Sequence, residues 1–170
     1  INALEEYSKG FRKLENENPA LELAKNIHNT IPVIYGSADV ISIAAVRFRG
    51  QLEENAKMIA FHHDMPEMNH NEIEGWNGDR SLFDKMSIVW IMDEDDHPQI
   101  SKRIIISKEL LDKKCSQQYI INTDGNNIIE RILKLIHFVD WVSYFTALLN
   151  KVDPTPVNQI QQLKIRLKKD

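Results

Sequence analysis

The chain has 170 residues, of which 42% are hydrophobic and 27% are charged, a composition typical of a soluble globular domain with one core. Its formal net charge is −4, with acids and bases interspersed, which excludes the basic surface of a nucleic-acid-binding domain. Cys115 is the single cysteine, so an intrachain disulfide is excluded and a reducing, cytoplasmic location is predicted. The N-terminus is polar and lacks a signal-peptide core, and because residue 1 is Ile we expect the chain to be part of a longer protein.

Two helices are predicted before the first strand. Apolar residues spaced three or four apart predict a helix over residues 2–15. These residues are Leu4, Tyr7, Phe11 and Leu14. Asn18-Pro19 is typical of a helix start, so a second helix is expected after it. The two helices indicate an entry arm or a connection between domains.

The middle of the chain alternates strand-like and helix-like segments. Four short apolar segments predict strands, at Ile31–Tyr35, Met58–Phe61, Ser87–Met92 and Gln118–Asn122. Helical patterns follow from Ala38 to about Ala56 and over residues 98–114. This alternation predicts an α/β fold, with a mostly parallel sheet that carries helices on both faces. Gly36-Ser37 after the first strand is either a plain turn or a weak candidate for anion binding.

A long helix predicted over residues 126–151 is apolar on nearly all sides. Lys134, His137 and Asp140 interrupt its apolar run, which argues against a membrane span of about 20 apolar residues. We therefore expect this helix to be buried by its own sheet and by a second subunit in a two-fold dimer. After a break at Asp153–Pro156, a last helix is expected to carry Lys164.

Metal and nucleophile chemistry have little support in the sequence. Metal-type ligands are dense in one segment, at His62, His63, Asp64, Glu67 and His70. No recognised ligand spacing such as His-Glu-x-x-His occurs there, so no metal is predicted. The four acids Asp93–Asp96 favour a solvated loop over a metal site. Cys115 follows two lysines, and we interpret it as incidental.

Proton transfer by side chains is the remaining chemistry. Glu54 at a helix end would be the base, and His70 on a polar loop would be an acid or base. Lys164 would be a cation near developing negative charge. From spacing alone the alternative stays open that these are a surface acid, a loop histidine and a solvated lysine.

Two blocks of sequence carry a family resemblance. They are Gln51–Lys57, which reads QLEENAK, and Pro66–Ile73, which reads PEMNHNEI and is followed by Gly75-Trp76. In this order they resemble the second sugar-isomerase (SIS) domain of bifunctional phosphoglucose/phosphomannose isomerases. The likeness runs from about residue 18 to the end. It includes Ile31–Gly36, Asp153–Val157 and Leu163-Lys164.

The resemblance implies a SIS-type three-layer sandwich that interconverts glucose 6-phosphate and mannose 6-phosphate with fructose 6-phosphate, without cofactor or metal. Glu54 matches the glutamate that moves a proton between C2 and C1 through an enediolate. Lys164 matches a lysine at the ring oxygen. His70 matches a histidine that helps to open the sugar ring and is contributed across the homodimer by the other subunit. The candidate substrate-binding residues are Thr155, Asn69 and Asn71.

The resemblance also implies an incomplete site. The family has two SIS domains, and the first carries Ser/Thr-rich phosphate-binding loops that this sequence lacks. We therefore expect residues 1–17 to be the connecting helix from a missing N-terminal SIS domain, and residues 18–170 to be the C-terminal SIS domain. Two alternatives remain open, a non-catalytic sugar-phosphate-binding or regulatory domain and a dimerisation module.

Overall fold

A parallel four-stranded sheet forms the centre of the computed structural model, which describes residues 2–12 and 17–168. In chain order the strands are β1 (Ile31–Ser37), β2 (Phe61–Met65), β3 (Met86–Met92) and β4 (Gln117–Asn122). Their order in the sheet is β2-β1-β3-β4, and every neighbouring pair is parallel. This confirms the predicted α/β class with a parallel sheet.

Helices connect the strands and cover the sheet. They are α1 (Asn2–Lys9), α2 (Pro19–Ile27), α3 (Val40–Glu54), α4 (Glu72–Gly75), α5 (Arg80–Phe83), α6 (Pro98–Leu110), α7 (Ile128–Leu149) and α8 (Asn158–Arg166). Two 3₁₀ helices, Gly10–Arg12 and Glu67–His70, complete the set in the described part of the chain.

Two helix starts show why the sequence folds locally as it does. The Asn18 side chain accepts hydrogen bonds from the backbone N–H groups of Ala20 and Leu21, at 3.1 and 3.2 Å, and Pro19 occupies the first turn of α2. The Asn127 side chain caps α7 in the same way, by accepting from the Glu130 N–H at 3.0 Å. Both caps satisfy donors that a helix N-terminus otherwise leaves unpaired.

Alternate side chains of the strands enter two separate cores, one on each face of the sheet. Ile34 and Val89 point toward the first core, which α2, α3 and α7 cover. Tyr35 and Trp90 point toward the second core, which α6 and the connection from β2 to β3 cover. This alternation along each strand gives the predicted three layers, helices–sheet–helices.

The strand predicted at Met58–Phe61 is wrong, because β2 begins at Phe61 and continues through the polar residues His62–Asp64. The physical reason is that β2 lies at the edge of the sheet and pairs with β1 alone, so its side chains are only partly covered. The apolar residues before it serve the connection instead, with Ala60 buried and Met58 packed against the first core.

Three predicted helices differ at their ends. The first helix ends at Lys9 rather than continuing to residue 15, and a 3₁₀ turn follows it; Leu14 lies outside the described residues. The helix predicted over residues 98–114 ends at Leu110. The long helix spans Ile128–Leu149, close to the prediction of 126–151.

Helix α7 is long and apolar enough, by length and composition, to cross a membrane. This is weak evidence for a membrane span, because the buried core helices of soluble proteins can be equally long and apolar. Its residues Val139 and Val142 are buried in the first core, against α2 and α3. Apolar side chains also remain exposed along α7, at Ile129, Leu133, Tyr144 and Leu148.

Candidate active site

The end of α3 presents Glu54 to solvent on a firmly held backbone. The next residue, Asn55, donates from its side chain to the Ser143 hydroxyl on α7 at 2.9 Å. Ala56 is buried, and its carbonyl accepts a hydrogen bond from the Asn150 side chain at 2.9 Å. The sequence Glu54–Lys57 therefore folds so that the residues after the acid anchor the helix end while the acid itself stays exposed.

Glu54 lines a cleft of about 640 Å³ between the end of α3 and the segment that leads into α8. The other lining residues are Glu53, Lys57, Met58, Ile59 and residues 156–160. Such a volume is within the range of small-molecule sites. The cleft thus combines an acid, a lysine and apolar surface from two distant parts of the sequence.

Thr155 and Lys164 belong to the C-terminal segment that lines this cleft, although neither is among its lining residues. Thr155 directly precedes the lining residue Pro156, and its N–H donates to the Asp153 side chain at 2.9 Å. Lys164 lies one helical turn after the lining residue Ile160, and therefore on the same face of α8. Both residues are exposed.

Lys57 is a residue of this cleft to which the sequence analysis gave no role. Its ammonium group donates to the Glu54 carbonyl at 2.5 Å and to the Pro156 carbonyl at 2.7 Å. A lysine just beyond a helix C-terminus is a known signal for hydrogen bonding to the last carbonyls, and that signal was present in the sequence.

His70 lies elsewhere, at the exposed end of the 3₁₀ helix Glu67–His70. The preceding Met68 is buried in the second core. Glu54 ends a helix of the layer on the first face, whereas His70 belongs to the layer on the second face, so the sheet separates them. The structure therefore does not bring His70 to the Glu54 cleft of its own chain.

Asn69 and Asn71 flank His70 and hold its backbone. The Asn69 side chain donates to the Ser107 hydroxyl at 2.8 Å and accepts from Arg103 at 3.5 Å. The Asn71 side chain accepts from the Glu72 N–H at 2.5 Å and so caps α4. Their predicted role in substrate binding stays a prediction, and these contacts give them a role in positioning His70.

A buried tyrosine anchors the same segment to the sheet. The Tyr35 hydroxyl donates to Glu72 at 2.7 Å and accepts from the Trp76 indole N–H at 3.1 Å. The other oxygen of Glu72 pairs with His63. Burial, together with the hydrogen bond to Glu72, raises the pKa of Tyr35 well above its usual range, so the phenol stays protonated as a donor.

A second cleft of about 450 Å³ lies at the carboxyl ends of β1 and β3, where open α/β sheets commonly bind ligands. Ser37 lines it, but so do Asp39, Asp95 and Asp96. These carboxylates repel a phosphate, so the cleft does not favour anion binding by the Gly36-Ser37 turn.

Over residues 2–12 and 17–168, no group of three or more His, Cys, Asp or Glu side chains is arranged to hold a metal ion. His62 and Asp64 line a site of about 510 Å³ beside Arg49 at the edge of the sheet. Burial, and then the nearby Arg49, lower the pKa of His62 below its ordinary value.

The fold is the one found in sugar-phosphate isomerase domains. A glucose-6-phosphate isomerase like protein from Thermus thermophilus superposes with a TM-score of 0.67 at 20% identity, over 86% of this chain and 47% of that chain. A putative sugar-phosphate isomerase from Listeria monocytogenes superposes with a TM-score of 0.62 at 9% identity, over 95% of this chain and 92% of that chain. At these identities the likeness shows the fold alone.

The chain belongs to the bacterial phospho-glucose isomerase C-terminal SIS domain family, whose model matches residues 16–167. The bifunctional phosphoglucose/phosphomannose isomerase of Aquifex aeolicus is 38% identical over 148 residues, which are 87% of this chain and 46% of that protein. The enzyme of the same name from Caldicellulosiruptor bescii is 35% identical over 153 residues, 90% of this chain and 45% of that protein. The chain thus spans about half the length of these relatives, and the resemblance seen in the sequence is confirmed.

Proposed function

We propose that this chain is the C-terminal half of an isomerase that interconverts glucose 6-phosphate and mannose 6-phosphate with fructose 6-phosphate. The observation that carries the proposal is the cleft at the end of α3, which joins the exposed Glu54 to the segment that bears Thr155 and Lys164. Family membership supports the reaction class.

Glu54 acts as the base in this proposal. It removes the proton from C2 of the open-chain aldose and returns it to C1, through an enediolate. Lys164 places a positive charge near the oxygen that gains negative charge, and Thr155 hydrogen-bonds the sugar. Glucose and mannose phosphates give the same enediolate, so one base serves both substrates.

His70 opens the sugar ring in the site of a second subunit. Its support is the separation described above, since His70 and Glu54 of one chain lie in layers on opposite faces of the sheet. The exposed apolar residues of α7, such as Leu133 and Tyr144, support a two-fold dimer, because a solvated helix of a monomer has little reason to expose them.

The phosphate is bound by the other half of the full-length protein in this proposal. The chain spans only about half of its relatives, and the cleft that faces the ends of β1 and β3 carries acids rather than phosphate-binding groups. Phosphate binding energy would hold the sugar with C1 and C2 at Glu54.

The test uses the full-length protein, assayed with glucose 6-phosphate and with mannose 6-phosphate, and the variant Glu54→Gln. Glutamine keeps the shape and removes the base, so isomerisation should fall by about 10²–10⁴-fold or more. Exchange of the C2 hydrogen with solvent deuterium should fall equally, while substrate still binds.

The matched control is Glu53→Gln, which changes the neighbouring acid that lines the same cleft and pairs with Arg49 at 3.7 Å. It should keep turnover near that of the unmodified protein. The proposal fails if Glu54→Gln exchanges the C2 hydrogen at the unmodified rate, or if the full-length protein isomerises neither sugar phosphate.

A further inference from the structure

The C-terminal arm, defined as residues 155–168, is held to the rest of the domain at its base. Every residue of α8 is exposed, including the apolar Leu163 and Ile165. Burial in the core therefore does not fix the position of Lys164. An arm without buried side chains opens at a low free-energy cost unless another contact holds it.

That contact is made by Lys57. Its ammonium group bonds at once to the last residue of α3, through the Glu54 carbonyl, and to the arm, through the Pro156 carbonyl. Within the described part of the chain, this is the one hydrogen bond between the arm and residues before Asp153. The Lys57 backbone is left-handed, with φ of 55°, which turns the chain sharply at the end of α3.

Both bonds of Lys57 are charge-assisted, because a cationic donor meets neutral carbonyl oxygens. Such bonds are stronger than those between neutral groups. The first of them also satisfies a carbonyl that the C-terminal end of α3 leaves unpaired. The hydrogen bonds that Thr155 makes to Asp153, and then the positive charge of Lys57, lower the pKa of Asp153 below its ordinary value.

We propose that Lys57 is a positioning residue, which holds the C-terminal arm against the end of α3 so that Thr155 and Lys164 face Glu54. This inference rests on the proposed function for its effect on catalysis. The attachment of the arm by Lys57 does not depend on which reaction the protein catalyses.

The experiment compares Lys57→Met, Lys57→Arg and Lys113→Met in the full-length protein. Lys113 is the matched control, because its backbone is also left-handed, with φ of 61°, and it follows α6 on the other face of the sheet. Hydrogen–deuterium exchange measures the protection of residues 155–168, and steady-state kinetics give kcat and KM separately.

We expect Lys57→Met to speed exchange in the arm while the sheet and α7 keep their protection. Its kcat should fall by roughly 10–100-fold, because a catalytic group is misplaced, and KM should change little, because the phosphate is bound elsewhere. Lys57→Arg keeps a cationic donor and should restore most of kcat. Lys113→Met should leave both measurements unchanged.

Four results would overturn the inference. If hydrogen–deuterium exchange in the arm is unchanged in the Lys57→Met variant, Lys57 does not hold the arm, whatever happens to kcat. Faster exchange with unchanged kcat would show that the arm needs no positioning. Equal effects of Lys113→Met would make the change unspecific, and failure of Lys57→Arg to restore kcat would exclude the cationic donor as the cause. If Glu54→Gln remains active, the proposed function fails, but the exchange measurement still decides whether Lys57 holds the arm.

Discussion

Arg131 at the start of α7 lies buried against Asp93 at the end of β3, with their side chains 2% and 3% exposed. Its guanidinium donates to both carboxylate oxygens of Asp93, at 2.9 and 3.1 Å. Thr123 donates to the same carboxylate at 2.6 Å. The prediction of a solvated loop at Asp93–Asp96 is therefore wrong for Asp93, whose charge is used inside the protein to join α7 to the sheet.

The first prediction concerns the stability that this buried pair provides. Arg131→Met leaves the Asp93 carboxylate buried without its partner, and should lower the free energy of unfolding by about 3–5 kcal/mol. The control is Arg47→Met, which removes an exposed pair with Asp140 and should cost at most about 1 kcal/mol. Urea denaturation followed by circular dichroism measures both values. Equal losses for the two variants would contradict the distinction between buried and exposed pairs.

The second prediction concerns acid. Burial raises the pKa of Asp93, but hydrogen bonds from Arg131 and Thr123 outweigh it, so the pKa lies below its ordinary value. Hydrogen bonds from Lys134 and Asn126 lower the pKa of Glu130 from 4.5 to about 2. Both pKa values are depressed in the folded state. Their contribution to stability is therefore complete above the unfolded pKa of about 4 and is lost as the pH falls through the folded pKa.

We accordingly expect the free energy of unfolding to decrease between about pH 5 and pH 2. Glu130→Gln removes one of the two titrating groups, so its stability should depend less steeply on pH over that interval. Urea titrations at several pH values give the slopes. A slope for Glu130→Gln equal to that of the unmodified chain would show that Glu130 does not titrate with a depressed pKa.

The third prediction concerns Cys115, the single cysteine. Burial raises the pKa of its thiol above the ordinary value, and the thiol donates to the Gln117 carbonyl at 3.3 Å. The reactive thiolate is therefore scarce and covered in the folded chain. A thiol reagent such as DTNB should label the folded protein slowly at pH 8 and the urea-unfolded protein at once. Rapid labelling of the folded protein would overturn this expectation and the interpretation of Cys115 as incidental.

The strand that is buried on both faces of the sheet was predicted best, because such burial requires a continuous apolar segment in the sequence. Trp90 and its neighbours form a nearly continuous apolar segment, and β3 spans it as predicted, because a central parallel strand is covered on both faces. The edge strand β2 was misplaced, since His62 and His63 give it no apolar signal. The position of an edge strand depends on backbone hydrogen bonds to its single neighbour. Because every residue except proline carries the same backbone groups, these bonds produce no sequence pattern.

The site was predictable only as separate residues. The motif at Glu54 identified a residue that lies in a cleft, but the role of Lys57 depends on Pro156, which is 99 positions away. The placement of His70 depends on which face of the sheet the connection after β2 crosses. Periodicity alone does not determine that choice, because the face depends on the order of the strands in the sheet, which periodicity does not give.

The last prediction follows from the separation of Glu54 and His70 by the sheet. We propose that each site takes Glu54 from one chain and His70 from its partner. In a mixed dimer with one His70→Ala chain and one Glu54→Gln chain, both changes then fall in the same site. A heterodimer of the two variants then has one site that lacks both groups and one site that is whole. Two poorly active proteins should therefore combine to give about half of the unmodified activity per dimer, by the two-fold symmetry of the assembly.

The measurement is to co-express the two full-length variants with different tags, purify the heterodimer through both tags and assay it with glucose 6-phosphate. The control is a dimer whose two differently tagged chains both carry Glu54→Gln, which should stay inactive because each of its sites lacks the base. His70→Ala should also lower turnover of the cyclic sugar more than that of an open-chain substrate, since ring opening is the step that His70 assists. A heterodimer as inactive as its parents would place Glu54 and His70 in the site of one chain. The connection Pro66–Trp76 would then have to leave the second face of the sheet, where Met68 and Trp76 are buried.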